Sequence, residues 1–427
     1  MNTLKKSLEI YERSQKVIAG PSTFGKSPDQ FAQGITPYAV SHGKGAYVWD
    51  VDGNKYLDYT VALGCVILGY CHPYVEEAVK KQAEKGFSFS FVHYLEVEVA
   101  EMLCERIPCA EMARFGKNGN DVTSAAVRLS RYVTGKDHVL FCGYHGWQDW
   151  YISQTSMNGG ILDTIKEYSH RFTYNDLESL ESLLRQYKGS TACIIMEPVS
   201  RVSPKEGYLE AVRKLADQYK VVLIFDEVVT GFRFHRGGYQ ALSGVIPDLA
   251  CFSKAMTNGL PLSALVGKKE IMERCSEIFF SLTTAGETVS LAAAKAVMEV
   301  FDKENVIEAI ECNGRKLLEG VKKTIHSHEL NDVVVADGFF CRNVMIFKDS
   351  GEVPAADIRT YWIQELAKRN ILSGGYHMVG LTHQDNEISC TLDTYAEVFR
   401  LIKKALEDGS LSDQLQCSTA KQSARSL

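Results

Sequence analysis

Six short apolar runs constrain what this chain can fold into more than any other feature: residues 114–117, 138–142, 193–197, 221–226, 249–253 and 264–267. Each has the length of a strand, and several are apolar at nearly every position, as strands are when both faces are covered. Helical periodicity fills the stretches between them, for example residues 122–133 and 209–219. Strands alternating with helices predict an α/β fold whose doubly covered sheet is mostly parallel. With 427 residues, the chain also exceeds the size at which one core usually stops growing, so a large domain with a smaller companion is expected.

Sheets of this kind bind ligands beyond the carboxyl ends of their strands, and chemically costly residues stand there. Asp226 ends one run, Lys254 follows the next, and Gly119-Asn120 follows an earlier one. A lysine at the end of an apolar run loses hydration, which lowers its pKa and makes its amine nucleophilic towards an aldehyde. A carboxylate on the adjacent strand can hold a pyridine nitrogen protonated, so the two residues together fit pyridoxal phosphate (PLP).

Three motifs carry a family resemblance: Asp-Glu-Val-Val-Thr-Gly-Phe-Arg at 226–233, Ser-Lys-Ala with a trailing Asn-Gly-Leu-Pro at 253–261, and Tyr-His-Gly-Trp at 144–147. With Gly20-Pro21, residues 43–59 and 67–73, and the region of His383, the chain resembles class III PLP-dependent aminotransferases over nearly its whole length. The branch it is most similar to is that of glutamate-1-semialdehyde 2,1-aminomutase. The resemblance implies PLP-dependent transferase fold type I. Residues 1–72 would form an N-terminal part of the small domain, 73–327 the large PLP-binding domain, and 328–427 the C-terminal small domain.

The resemblance also assigns roles residue by residue. Lys254, Asp226 and Tyr144 become the catalytic candidates: Lys254 as tether and proton shuttle, Asp226 as partner of the ring nitrogen, and Tyr144 as the ring stacked on the cofactor. Val228, two residues beyond Asp226, would pack the opposite ring face if the strand continued. Gly119 and Asn120 open a helix whose unpaired N–H groups and dipole favour a phosphate. The family usually reads Ser-Gly-Thr-Glu there, whereas this chain reads Asn118-Gly119-Asn120-Asp121. His145 completes the cofactor set. Thr283, with Thr284 as the alternative donor, matches the threonine that reaches the phosphate of a neighbouring subunit, implying a homodimer with shared active sites. Glu197 follows its apolar run and shapes the site or touches substrate.

The substrate side departs from the aminomutase pattern. Lys26 and Ser27 stand near the place of an arginine that clamps a carboxylate, and an ammonium lacks the bidentate guanidinium grip. Phe24, Phe89, Phe91, His93, Trp147 and Trp150 offer flat rings instead, of which Phe24, His93 and Trp147 join Glu197 as substrate-binding candidates. The expected activity is transfer of an amino group from an amino donor to a keto or aldehyde acceptor, extending to sugar derivatives. The alternatives are an intramolecular aminomutase of the glutamate-1-semialdehyde type and a non-catalytic PLP-binding protein.

Composition narrows the remaining possibilities. A net charge of −6 supplies no basic stripe, and no nucleic-acid-binding motif appears, so nucleic acid is not an expected partner. The first twenty residues alternate charge within a helical period, which fits neither a signal peptide nor a membrane span, and a cytoplasmic location is expected. The twelve cysteines include no Cys-x-x-Cys pair and read as reduced thiols. No metal is expected, since no acidic or cysteine cluster sits near His326 and His328. Residues 46–59 read as a hairpin around Asp52-Gly53. Short strands are expected from about Val333, helices near 358–369 and 394–407, and a frayed tail after Ser410.

Overall fold

A computed structural model describes residues 3–421, the side chain of Phe24 excepted. The chain divides into two compact units, one of residues 73–307 and one of residues 1–72 with 308–427.

The 73–307 unit is built on a seven-stranded sheet. Its order is Met112–Gly116, Ser263–Gly267, Leu249–Phe252, Val222–Asp226, Thr191–Met196, His138–Cys142 and Ser169–Arg171. The last five strands run parallel, while Ser263–Gly267 is antiparallel to both its neighbours. The strands Thr191–Met196, Val222–Asp226, Leu249–Phe252 and Ser263–Gly267 are buried at every residue, which explains their unbroken apolar runs. Alternate residues Phe141, Ile195, Ile224, Cys251 and Leu265 meet Val122, Ala126 and Leu129 of the helix Gly119–Thr134. Burying each large aliphatic side chain contributes about 1.5–3 kcal/mol relative to exposure, so this layer holds the strand ends at fixed positions. Ser169–Arg171 is too short and too polar to be read as a strand from sequence, and it pairs only at the sheet edge.

The other unit carries two smaller sheets. One has the order Val40–Lys44, Tyr47–Asp50, Lys55–Asp58 and Ile371–Leu372, and the second pairs Val334–Phe339, Arg342–Phe347 and Tyr376–Met378. The hairpin forms as read, but its connection takes four residues, with Asp50 Oδ1 accepting from the N–H groups of Asp52 and Asn54. Helices Ala355–Lys368 and Asp385–Glu407 complete this unit. The tail expected to fray is instead tied down through Lys421. Gln416 N donates to Gln364, Ala420 N donates to Thr360 Oγ1, and Arg359 donates to the carbonyls of Ala420 and Lys421. Backbone amides that find acceptors outweigh a polar composition.

A strained turn follows Asp58. Val61, Ala62 and Leu63 all have φ between 47° and 59°. A β-branched valine is rarely found there. Asp58 holds the segment by accepting from Thr60 N, Thr60 Oγ1, Val61 N and Tyr70 Oη.

Candidate active site

Asp226, His145 and Lys254 stand at or just beyond the ends of parallel strands of the 73–307 unit. Asp226 closes the strand Val222–Asp226 and pairs in register with Cys251, three residues before Lys254. Lys254 stands just past Phe252, at the start of a short 3-10 turn, with φ of 44°. Left-handed backbone at a non-glycine residue is a strained conformation that the surrounding structure must enforce. Ser253 Oγ contributes by donating to Leu262 O at 2.9 Å.

Asp226 and His145 form a buried pair. His145 Nδ1 lies 2.8 Å from Asp226 Oδ2, and His145 Nε2 lies 3.1 Å from Cys142 O. A carbonyl only accepts, so Nε2 bears a proton and donates to Cys142. The Nδ1 contact therefore also contains one proton, shared between imidazole and carboxylate. The second carboxylate oxygen, Asp226 Oδ1, accepts from Val228 N at 3.1 Å.

That bond corrects one sequence expectation. The strand stops at Asp226, so alternation does not place Val228; the following turn does, with Gly231 N donating to Glu227 O at 2.8 Å. Val228 lies against the first turn of the helix Gly119–Thr134: a Cβ on Gly119 would come within 2.9 Å of Val228 Cγ1. Only glycine permits so close an approach.

The N-terminus of the helix Gly119–Thr134 is capped by a residue that sequence reading passed over. Asp121 Oδ2 accepts from Lys117 N at 3.0 Å and Asn118 N at 2.7 Å. The Asn-x-x-Asp spacing is a capping-box signal that could have found it. Gly119 and Asn120 lie in the first turn, where backbone amides have no intrahelical acceptor. Thr123 Oγ1 donates to His145 O at 3.0 Å, tying this helix to the Tyr144-His145 segment.

Tyr144 is 37% exposed, with its ring edge-on to Tyr151 at 5.6 Å. Glu197 is buried and accepts from Tyr144 N at 3.3 Å and Ser200 Oγ at 3.4 Å. A Cβ on Gly143, whose φ is 105°, would meet Glu197 Oε2 at 2.7 Å. Glu197 therefore props the turn that presents Tyr144. Burial, with Glu197 nearby, pushes the Cys142 thiol up to about 12, so this cysteine stays a neutral packing group.

The remaining candidates are more dispersed. His93 caps the helix Tyr94–Arg106, its Nδ1 accepting from Leu95 N, and its ring stacks on Phe89 at 5.2 Å. Trp147 is 71% exposed, and Thr283 is exposed in the segment before the helix Thr288–Lys303. Phe24 belongs to the other unit, and its side chain lies outside the described residues. One pair escaped sequence reading: Lys117 Nζ bonds Glu287 Oε2 at 3.1 Å, and Glu287 caps the helix that follows Thr283. Burial acts to raise the Glu287 carboxyl, but bonds from Ser290 and Lys117 outweigh it and hold the group below the ordinary range. Among the described residues, no cluster of three or more potential metal ligands occurs.

The Aminotransferase class-III family model matches residues 30–366. The chain belongs to the class III aminotransferases. This aminotransferase is 36% identical over 413 residues to the 3-aminobutyryl-CoA aminotransferase of Cloacimonas acidaminovorans, a match covering 94% of the chain and 99% of that relative. It is 32% identical over 423 residues to the glutamate-1-semialdehyde 2,1-aminomutase of Syntrophomonas wolfei, covering 91% and 96%. Its fold matches the PLP form of the FumI protein of Sphingopyxis sp. MTA144 with a TM-score of 0.89 at 25% identity, covering 97% of this chain and 99% of the other. An omega-transaminase from Sphaerobacter thermophilus superposes with a TM-score of 0.82 at 22% identity, covering 93% and 98%. The aminotransferase thus has the fold of PLP-dependent transaminases, with a mostly parallel central sheet and smaller accompanying sheets.

Proposed function

We propose that the ends of strands Val222–Asp226 and Leu249–Phe252 form the centre of an enzyme that moves an amino group from an amino donor to a keto or aldehyde acceptor. The observation that carries this reading is the buried His145–Asp226 pair at 2.8 Å on the strand next to the one leading into Lys254. The cofactor is pyridoxal phosphate, and the residues present fit it: an anion-ready helix turn, a carboxylate and an amine. When bound, it supplies an aldehyde for the incoming amine and a ring that withdraws electrons from the substrate α-carbon. Lys254 Nζ removes the α-proton and returns it one position along. Asp226, oriented by His145, stabilises positive charge at the ring nitrogen. Glu197 fixes the turn from which Tyr144 covers a ring face, and the Gly119 and Asn120 amides hold the phosphate.

A second copy of the chain completes this reading. Phe91 is 88% exposed and Val92 74%. The preceding carbonyls of Gly86 and Phe87 accept from Thr288, at the end of the segment that carries Thr283. An apolar surface beside an exposed threonine suits a homodimer in which Thr283 or Thr284 reaches across. The twelve cysteines lie as free thiols, buried to exposed, which supports a reducing, cytoplasmic setting. No helix among the described residues is long and apolar enough to cross a membrane.

A second reading is an intramolecular aminomutase, favoured by relatives of that name. Lys26 in place of a carboxylate-clamping arginine argues against it, and the flat rings of Trp147 and His93 favour a less anionic acceptor such as a sugar derivative. The test is donor consumption by the purified holoenzyme. L-glutamate, L-alanine, simple amines and 3-aminoacyl thioesters, the last prompted by the Cloacimonas relative, are each added and the visible cofactor band followed. One donor should bleach the band with stoichiometric release of its carbonyl product, and a keto or aldehyde acceptor should restore it. A band unmoved by every donor, with glutamate-1-semialdehyde turned over without a second substrate, would establish the aminomutase instead.

A further inference from the structure

The Gln148 side chain sits beside the phosphate turn with its hydrogen-bonding capacity unused. Both Nε2 and Oε1 are buried, and among the described residues neither has a partner. Gln148 precedes the short helix Asp149–Ile152 yet makes no side-chain cap to it. A buried carboxamide left unpaired is costly, and native structures leave few such groups without a partner. The missing partner is therefore something the isolated chain does not itself supply.

The position of the amide narrows what that partner is. Gly146 has φ of 116°, and a Cβ placed on it would lie 2.7 Å from Gln148 Oε1, 3.2 Å from Gln148 Nε2 and 2.9 Å from Asn120 Cβ. The carboxamide and Asn120 thus flank the same point, and Asn120 supplies one of the first-turn amides of the helix Gly119–Thr134. Those amides and the helix dipole draw negative charge to the end of this helix. This turn also lacks the two hydroxyl side chains that Ser-Gly-Thr would bring, since Asn118 and Asn120 stand there. A donor folded in from the Tyr-His-Gly-Trp-Gln segment makes good that loss.

We propose that Gln148 is a further ligand of the cofactor phosphate, its Nε2 donating to a phosphate oxygen and its Oε1 turned to an ordered water. The proposal rests on the PLP reading above and adds a residue to it. No covalent step is involved, so Gln148 is a binding residue and takes no part in proton transfer.

The experiment compares two ligands that differ only in the phosphate. Apo-protein, stripped of PLP, is titrated with PLP and separately with pyridoxal, for the wild type, Gln148→Leu and Gln148→Glu. A hydrogen bond to a charged group implies that Gln148→Leu weakens PLP binding roughly 10-fold. Gln148→Glu, which sets an anion against an anion, should weaken it more. Pyridoxal affinity should change less than about 3-fold in both variants. The melting temperature of the apo-protein gives a readout independent of activity: Gln148→Leu removes an unpaired buried amide, so the apo form should melt at the same temperature or higher while its gain on adding PLP shrinks.

PLP and pyridoxal affinities that fall together would overturn the assignment, as would a Gln148→Leu apo-protein of lower melting temperature with PLP affinity unchanged. Weakened self-association at unchanged PLP affinity would also overturn it, giving the amide to a second copy of the chain. Failure of the underlying reading looks different: wild-type apo-protein that binds pyridoxal as tightly as PLP would remove the phosphate from this turn altogether.

Discussion

His145 and His377 are both imidazoles buried in their respective units, yet their surroundings prepare them for opposite roles. His145 lies between a carboxylate and a carbonyl, so both nitrogens are engaged and a proton sits between it and Asp226. His377 has only the Tyr395 hydroxyl, 2.5 Å from Nε2, and its Nδ1 has no partner among the described residues. Burial, with His383 close by, pushes His377 down to about 3. His383 is lowered by burial too, and its tautomer is fixed, because Nε2 donates to Asp58 O while Nδ1 accepts from Gly380 N. Tyr59 lies against both rings. A buried histidine beside a carboxylate can support charge for chemistry, while one among aromatic rings stays neutral and serves packing.

Replacing Asp226 by alanine would make the surroundings of His145 resemble those of His377, and it carries the largest expected effect. Turnover should fall about 1,000-fold or more. His377→Phe, by contrast, should change turnover only a few-fold. Single-turnover rates for the two variants check the contrast, and equal losses would erase the distinction.

The smaller effect is on stability against pH. His377 and His383 have folded-state pKa values below their unfolded values, so between these limits the unfolded chain binds more protons and stability falls as pH drops. With the unfolded pKa near 6.5 and that of folded His377 about 3, the loss should begin below about pH 6.5 and continue towards pH 3. Its slope is at most about 1.4 kcal/mol per pH unit for each histidine. Urea midpoints recorded from pH 8 to pH 5 should be level above pH 7 and decline below it. In His377→Phe the decline should be shallower, and an unchanged slope would remove His377 as its source.

Much of this was legible in the sequence, for reasons that differ from residue to residue. The sheet could be read because its strands are buried on both faces, which leaves apolar runs no surface strand would show. The positions of Asp226 and Lys254 at strand ends could be read because the runs before them are unbroken. His145 was named from its motif, but its bond to Asp226, 81 residues away, depends on the order of strands, which periodicity does not encode. The end of the strand at Asp226 was hidden because the sequence does not reveal that the aspartate side chain accepts from Val228 N and caps its own turn. The Lys117–Glu287 pair and the unpaired Gln148 amide were equally hidden, since each is defined by a partner distant in sequence or absent from the chain. His383 illustrates the converse: a residue within a family motif proves to be a neutral core group.

The most direct test of the central claim is borohydride reduction of the purified holoprotein, followed by peptide mass mapping. One phosphopyridoxyl mass per chain is expected on the peptide containing Lys254, and none in Lys254→Ala. Label on another lysine, or a protein that takes up PLP without being trapped at Lys254, would contradict it.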